Sequence, residues 1–317
     1  MPAAGGWRHR YAVLLACATF LLVIAGGLVT STGSGLAVPD WPLSFGQVFP
    51  RMEGGVLFEH GHRLFAASVG FLTVILALWT ARAEPRAWVR LLGWAMLGAV
   101  VLQGVLGGAT VLLRLPDAVS VAHAGLAQMF FALTVVMATV TGPGLLVPAE
   151  PAADSRRPST RALTLATLAV IYVQILLGAI VRHTGAGLAI PDFPLAQGRL
   201  VPHFTSSLIA WHYAHRVGAL AVTALVLWTA LRVAGRHSRD ATLRWPATLL
   251  VALIGFQVFL GALTILTLRA VVPTTAHVAT GALLLATAVL LAVRAHHALG
   301  ESAAPVEPAV APESAVR

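Results

Sequence analysis

Four histidines form the first pattern in this sequence with chemistry in it. His62 and His215 are 153 residues apart, His123 and His277 are 154 apart, and an arginine, Arg63 or Arg216, directly follows each of the first pair. Neutral imidazole is the commonest metal ligand among side chains and a frequent axial ligand of haem iron. Two histidines per copy, on alternate helices of a bundle, suit a planar macrocycle gripped from both faces, so each half should hold one haem. A zinc or copper site competes with that reading, but two histidines with no third ligand leave tetrahedral coordination incomplete. The one cysteine, Cys17, excludes an intrachain disulfide framework and a cysteine metal cluster. An isolated histidine at a membrane edge is usually satisfied by backbone or interfacial water; recurrence in both copies argues for function.

The copies differ beside these histidines. Glu59 stands three residues before His62, whereas His212 stands three before His215. A carboxylate one helical turn from an axial ligand lies beside the macrocycle rim, where it can stabilise a developing cation or manage protons. It can equally be a helix N-terminal carboxylate favoured by the macrodipole. Arg63 and Arg216 are natural partners for haem propionates, or they snorkel to the headgroups. The glycines around Gly26-Gly27, Gly107-Gly108, Gly178-Ala179 and Gly261-Ala262 suit close helix approach, with packing the simplest account. His9, His237, His296 and His297 fall at the opposite edge, and His60, His183 and His203 are expected in outer loops, poorly placed as ligands.

The elements that must position these residues are membrane helices. The 317 residues are 58% hydrophobic and only 10% charged, far from the quarter charged that soluble domains carry. Apolar stretches at 11–30, 63–83, 90–112, 120–146, 162–182, 206–233, 244–268 and 272–297 each suffice to span a bilayer. The 21 basic residues are all arginine and scattered through connectors, which argues against nucleic acid as a partner. Fourteen lie on the side of the termini and seven on the other, so the positive-inside rule places both termini in the cytoplasm and the four histidines toward the outer face of a multi-pass protein of the cell (inner) membrane.

The segment TGSGLAVPDWPL, Thr32 to Leu43, recurs as TGAGLAIPDFPL, Thr184 to Leu195. The same exit sequence in mid-chain argues against reading the first stretch as a cleaved signal peptide. The expected fold is all-α: eight transmembrane helices as two pseudo-symmetric four-helix bundles in a parallel repeat. Residues 1–147 form the N-terminal half, 148–161 a polar cytoplasmic linker, 162–300 the C-terminal half and 301–317 a disordered tail. The Pro-Asp-aromatic-Pro loops after the first and fifth helices read as lids over the sites.

Across about residues 11 to 297, the sequence closely resembles the haem A synthase family. The resemblance rests on the GGLVTSTGSGLAVPDWPL stretch, Glu59-His60-Gly61-His62-Arg63, Gln103 and Gln257 with their glycines, His123, TGAGLAIPDFPL, His215-Arg216 and His277. It implies oxidation of a methyl substituent of haem O to a formyl group by successive hydroxylation, giving haem A for terminal oxidases. It implies a b-type haem cofactor ligated by His215 and His277 in the C-terminal half, and substrate haem O held by His62 and His123 in the N-terminal half. Glu59 becomes the candidate catalytic carboxylate, stabilising a carbocation formed during oxidation. Implied partners are a haem O-producing membrane enzyme and an electron acceptor. Some members carry a cysteine pair in an outer loop, which this chain lacks.

Two other classes compete. A bis-histidine b-type electron-transfer cytochrome predicts ligands near both membrane faces, whereas all four histidines fall on one side. A transporter predicts broken helices and midplane charge, whereas these spans carry almost no midplane charge and no corresponding pair is interrupted by proline at mid-depth.

Overall fold

The computed structural model describes residues 3–143, 152–154 and 157–301. Its eight long helices are α1 (Ala3–Ser31), α2 (Gly55–Ala83), α3 (Ala87–Leu112), α4 (Asp117–Val140), α5 (Thr160–His183), α6 (Ser207–Arg236), α7 (Ala241–Leu266) and α8 (Val271–Ala298). All eight are long and apolar enough to cross a membrane. The chain is a multi-pass membrane protein.

Local chemistry sets the ends. Ser159, Ser206 and Asp240 cap α5, α6 and α7 by accepting from Ala162, Ile209 and Thr242 backbone N–H groups. Helix α2 stops at Ala83, before Glu84-Pro85, as expected of a residue preceding proline. Most helices run a few residues past the apolar stretches, α1 beginning at Ala3 rather than 11, and two further ends differ for a clear reason. Helix α2 begins at Gly55, not 63, because its first two turns carry polar residues that an apolar window excludes. Helix α4 stops at Val140 rather than 146, since Gly142 and Pro143 follow and proline cannot continue the hydrogen-bond ladder.

Each helix packs on the next within its half, and each half closes on itself through α1 against α4 and α5 against α8. Each half buries its own apolar core. Leu15, Leu76, Met96 and Met137 centre one; Val226, Leu250, Leu285 and Leu291 centre the other. The halves meet through α1 against α8, α4 against α5 and α4 against α8. Exchanging the halves maps the first two contacts onto each other and the third onto itself, the pattern of a two-fold axis passing between α4 and α8.

At the end bearing the termini, Arg8 and Arg86 both pair with the buried Glu84 carboxylate, at 2.8 and 2.7 Å. Of the expected linker, residues 148–151 and 155–156 fall outside the described residues, as do residues 302–317 of the expected tail. One departure from all-helical structure is a pair of three-residue parallel strands, β1 (Ala152–Asp154) and β2 (Leu299–Glu301), joining the linker to the end of α8.

Candidate functional site

Each of the four histidines lies about two turns inside an even-numbered helix and rests against a glycine of the helix before it. A Cβ added to Gly26 would come 3.1 Å from His62 Cε1; the same atom on Gly107, Gly178 or Gly261 would come 3.2, 3.0 or 3.2 Å from His123, His215 or His277. Real Cβ atoms rarely approach that closely, so the absent side chain is what admits the ring. The glycines read as helix-packing residues are therefore ring seats, on α1, α3, α5 and α7.

Three seats carry a second element one turn away. Gln103 donates from Nε2 to the His123 backbone carbonyl at 3.1 Å and lies 3.3 Å from its ring Nε2. Gln174 donates to the His215 carbonyl at 2.7 Å and lies 3.0 Å from Nδ1. Gln257 lies 3.3 Å from His277 Nε2, while His277 Nδ1 is 3.2 Å from the Gln257 carbonyl. Each glutamine precedes its seat glycine by four residues, one helical turn. The fourth seat has Leu22 at that place, and His62 Nδ1 is buried without a hydrogen-bond partner. Gln174 went unremarked in the sequence, although its spacing from Gly178 repeats that of Gln103 from Gly107.

The residues fit a haem. Helices α6 and α8 are diagonal in their bundle, and the His215 and His277 ring centroids stand 6.4 Å apart with planes at 73°. Two imidazoles bound through nitrogen on opposite sides of one metal at about 2 Å each stand roughly 6.3 Å apart, centroid to centroid. Among the described residues no group of three or more metal-ligating side chains comes together. The competing zinc reading has no site there.

Over the rings lies an outer layer that repeats in backbone and differs in side chains. Asp40 accepts from the Phe45 and Gly46 N–H groups at 2.7 and 2.8 Å, and Asp192 from Gln197 and Gly198 at the same distances. These paired donors hold both carboxyls below the ordinary aspartate range. Arg63 donates to the Val38, Asp40 and Leu43 carbonyls, and Arg216 to those of Ile190, Asp192 and Leu195. Both arginines thus clamp the loops expected to be lids. Trp41 closes its loop onto α3, where a Cβ on Gly108 would come 2.7 Å from the indole.

Glu59 is buried in the second turn of α2. Its Oε1 accepts from Arg63 at 2.6 Å and its Oε2 from the Val38 N–H at 2.8 Å. His212 holds the matching place in the other half, its Nδ1 accepting from the Ile190 N–H at 3.2 Å. Two expectations are corrected, since His60 and His183 are helical rather than in outer loops: His60 is inside α2, buried, with Nδ1 2.7 Å from Ser44 Oγ. Its companion His183 is the last residue of α5, and His203 does lie in a loop.

Comparison with known proteins points the same way. The family model COX15-CtaA, described as cytochrome oxidase assembly protein, matches residues 9–56 and 51–289. The Heme A synthase of Symbiobacterium thermophilum is 36% identical over 255 residues, 77% of this chain and 80% of its own. Those of Shouchella clausii and Mesorhizobium japonicum are each 32% identical, over 69% and 80% of this chain and 75% and 82% of theirs.

Proposed function

This chain belongs to the COX15-CtaA family of cytochrome oxidase assembly proteins, and on that premise we propose that it is a haem A synthase, a membrane oxidoreductase that converts a methyl substituent of haem O to a formyl group by successive hydroxylation. The observation that carries this reading is the fourfold seat: a histidine on a glycine of the preceding helix, twice in each half, with a carboxylate one turn before His62 and none at the matching place before the other three. All four seats lie toward the same end of the bundles, which suits two neighbouring haems and does not suit a relay of ligands from one face to the other.

In this proposal, His62 and His123 receive substrate haem O in the N-terminal half, and His215 and His277 hold a b-type haem in the C-terminal half. The b haem, when bound, supplies one-electron redox chemistry. Gly178 and Gly261 admit the two cofactor-binding rings, while Gln174 and Gln257 fix their orientation. Glu59, one turn from His62 and locked by Arg63 and the Val38 amide, presents a preorganised carboxylate to positive charge developing at the reacting carbon of the substrate. Arg63 and Arg216 act through the loops, holding each lid down over its ring pair and excluding water. The loop-side location of the sites, with both termini in the cytoplasm of the cell membrane, rests on the arginine distribution. A haem O-producing membrane enzyme and an electron acceptor are the partners this chemistry requires.

Pigment extraction from membranes of cells supplied with haem O tests the reading. Wild type should yield haem A. His215→Ala should lose the bound b haem, and His62→Ala should keep it while making no haem A. Two permanently bound b haems with no haem A from wild type would overturn the assignment in favour of an electron-transfer cytochrome.

A further inference from the structure

The clamping of both loops by Arg63 and Arg216 leaves open what neutralises haem propionates. Two other arginines stand at the outer mouth of the C-terminal bundle. Arg182, in the last turn of α5, lies one turn beyond Gly178, the seat of His215, and is half-buried. Its Nη2 donates to the Gly27 carbonyl at 2.7 Å and to Ser31 Oγ at 2.9 Å on α1; the rest of its guanidinium has no hydrogen-bond partner among the described residues. Arg269 follows α7 and lies across the loop after α5, its Cδ 3.4 Å from where a Gly187 Cβ would stand. The two guanidiniums lie within electrostatic reach of each other, and Arg182 within reach of His277. Neither has a carboxylate within 4 Å among the described residues, whose ion pairs all lie elsewhere. Two like charges gathered at a membrane edge without a counter-charge are costly, and that cost is relieved by an anionic ligand.

The bundle says where such an anion comes from. A macrocycle held between His215 on α6 and His277 on α8 would extend toward α5 and α7, the other two helices of the bundle. Arg182 at the end of α5 and Arg269 just beyond α7 would then stand at its outward edge. Here the N-terminal half departs: Thr30 and Leu115 occupy the matching positions. Leu115 and Arg269 have the same backbone, with φ of 60° and 65° and N–H groups donating to Thr110 and Thr264, and they lie against equivalent glycines, Gly35 and Gly187. Thr30 spends its hydroxyl on the Gly26 carbonyl.

We propose that Arg182 and Arg269 form a carboxylate-binding pair that anchors the propionates of the haem in the C-terminal half, and that the N-terminal half, with Thr30 and Leu115 there, lacks this anchor and so lets its haem exchange. The inference rests on the proposed division of the halves. Guanidinium is the side chain best matched to a carboxylate, in paired and bidentate geometry.

The test is haem binding by full-length protein in a His62→Ala background, which leaves one bis-histidine site, titrated with haemin and separately with haemin dimethyl ester. Loss of charge-assisted hydrogen bonds predicts that the ester binds roughly ten- to a hundredfold more weakly than haemin. Arg269→Gln, an exposed position where folding is safe, should remove part of that preference. Arg182→Gln with Arg269→Gln should remove most of it, Arg182→Lys should keep much of it, and Arg114→Leu in the other half should leave it unchanged. Equal binding of haemin and ester by the parent, or an undiminished preference in both glutamine variants, would overturn the anchor while leaving haem A synthesis by wild type intact. Failure of the parent to bind either would overturn the anchor together with the assignment of the C-terminal half.

Discussion

The N-terminal and C-terminal halves follow one chain path and differ in a handful of side chains around their rings. Both place histidines on glycines of the preceding helix, and both clamp a Pro-Asp-aromatic-Pro loop with the arginine that follows a histidine. Around His62, however, stand Leu22, Ser44, Glu59 and His60, whereas the places around His215 hold Gln174, Ala196, His212 and Tyr213. On the proposed division, the shared residues would hold a haem in either half, while Glu59 sets the N-terminal half apart as the place of reaction. The differences also run in the direction of retention: the C-terminal half gains a glutamine and two arginines, each able to fix ligand or propionate, where the N-terminal half has leucine, threonine and leucine.

The hardest test of that contrast is Glu59 against His212. Glu59→Gln keeps the size and a hydrogen bond to the Val38 amide but removes the charge. Losing one preorganised electrostatic group costs roughly 100- to 1,000-fold in turnover, and haem A formation should fall by that order while the reduced-minus-oxidised haem spectrum persists. His212→Gln should cost little. Comparable losses from the two substitutions, measured as haem A per bound haem, would show that the halves share the chemistry.

Next in size come the seats. Alanine at Gly178 sets a Cβ 3.0 Å from the His215 ring, and overpacking of this kind costs about 1–3 kcal/mol. Gly178→Ala should therefore lower b haem content several-fold, whereas Gly26→Ala should spare b haem and weaken retention of the substrate haem. Haem content by pyridine haemochrome reads both. Loss of b haem in Gly26→Ala would mean that the two sites do not assemble independently.

Much of this was legible beforehand, for a physical reason. A bilayer imposes length and apolarity on every span, and duplication marks equivalent positions, so the eight helices, the two bundles and the four histidines follow from hydropathy and offset. What hydropathy could not reveal is polar helix inside the bundle: the first two turns of α2 hold Glu59, His60 and His62, and their burial depends on the loop folding back over them. Arg63 and Arg216 were matched to propionates or headgroups because carbonyls in a loop leave no mark in side-chain chemistry. The glycines were rightly read as sites of close approach, but which group approached, a ring rather than a helix, is a tertiary fact. The β1–β2 pairing is likewise set by where the linker meets the end of α8.

The smallest expected effect is the most discriminating. Leu22 stands where the other three seats have glutamine, and His62 has a buried Nδ1 with no partner. His123 Nδ1 is also without a partner, but Gln103 reaches the His123 Nε2, so His62 is the one ring of the four with no glutamine against it; such partners typically change metal affinity about 10- to 100-fold. On the proposed role of His62, that suits a side chain that must accept substrate and release product. Leu22→Gln supplies the amide and makes all four seats alike. The variant should hold haem in the N-terminal half longer, seen as slower transfer to apomyoglobin, and should turn over a few-fold more slowly because release is delayed. Should exchange and turnover both stay at wild-type values, His62 is already fixed by contacts other than the missing amide, and the asymmetry of the halves lies in Glu59 and the propionate anchor alone.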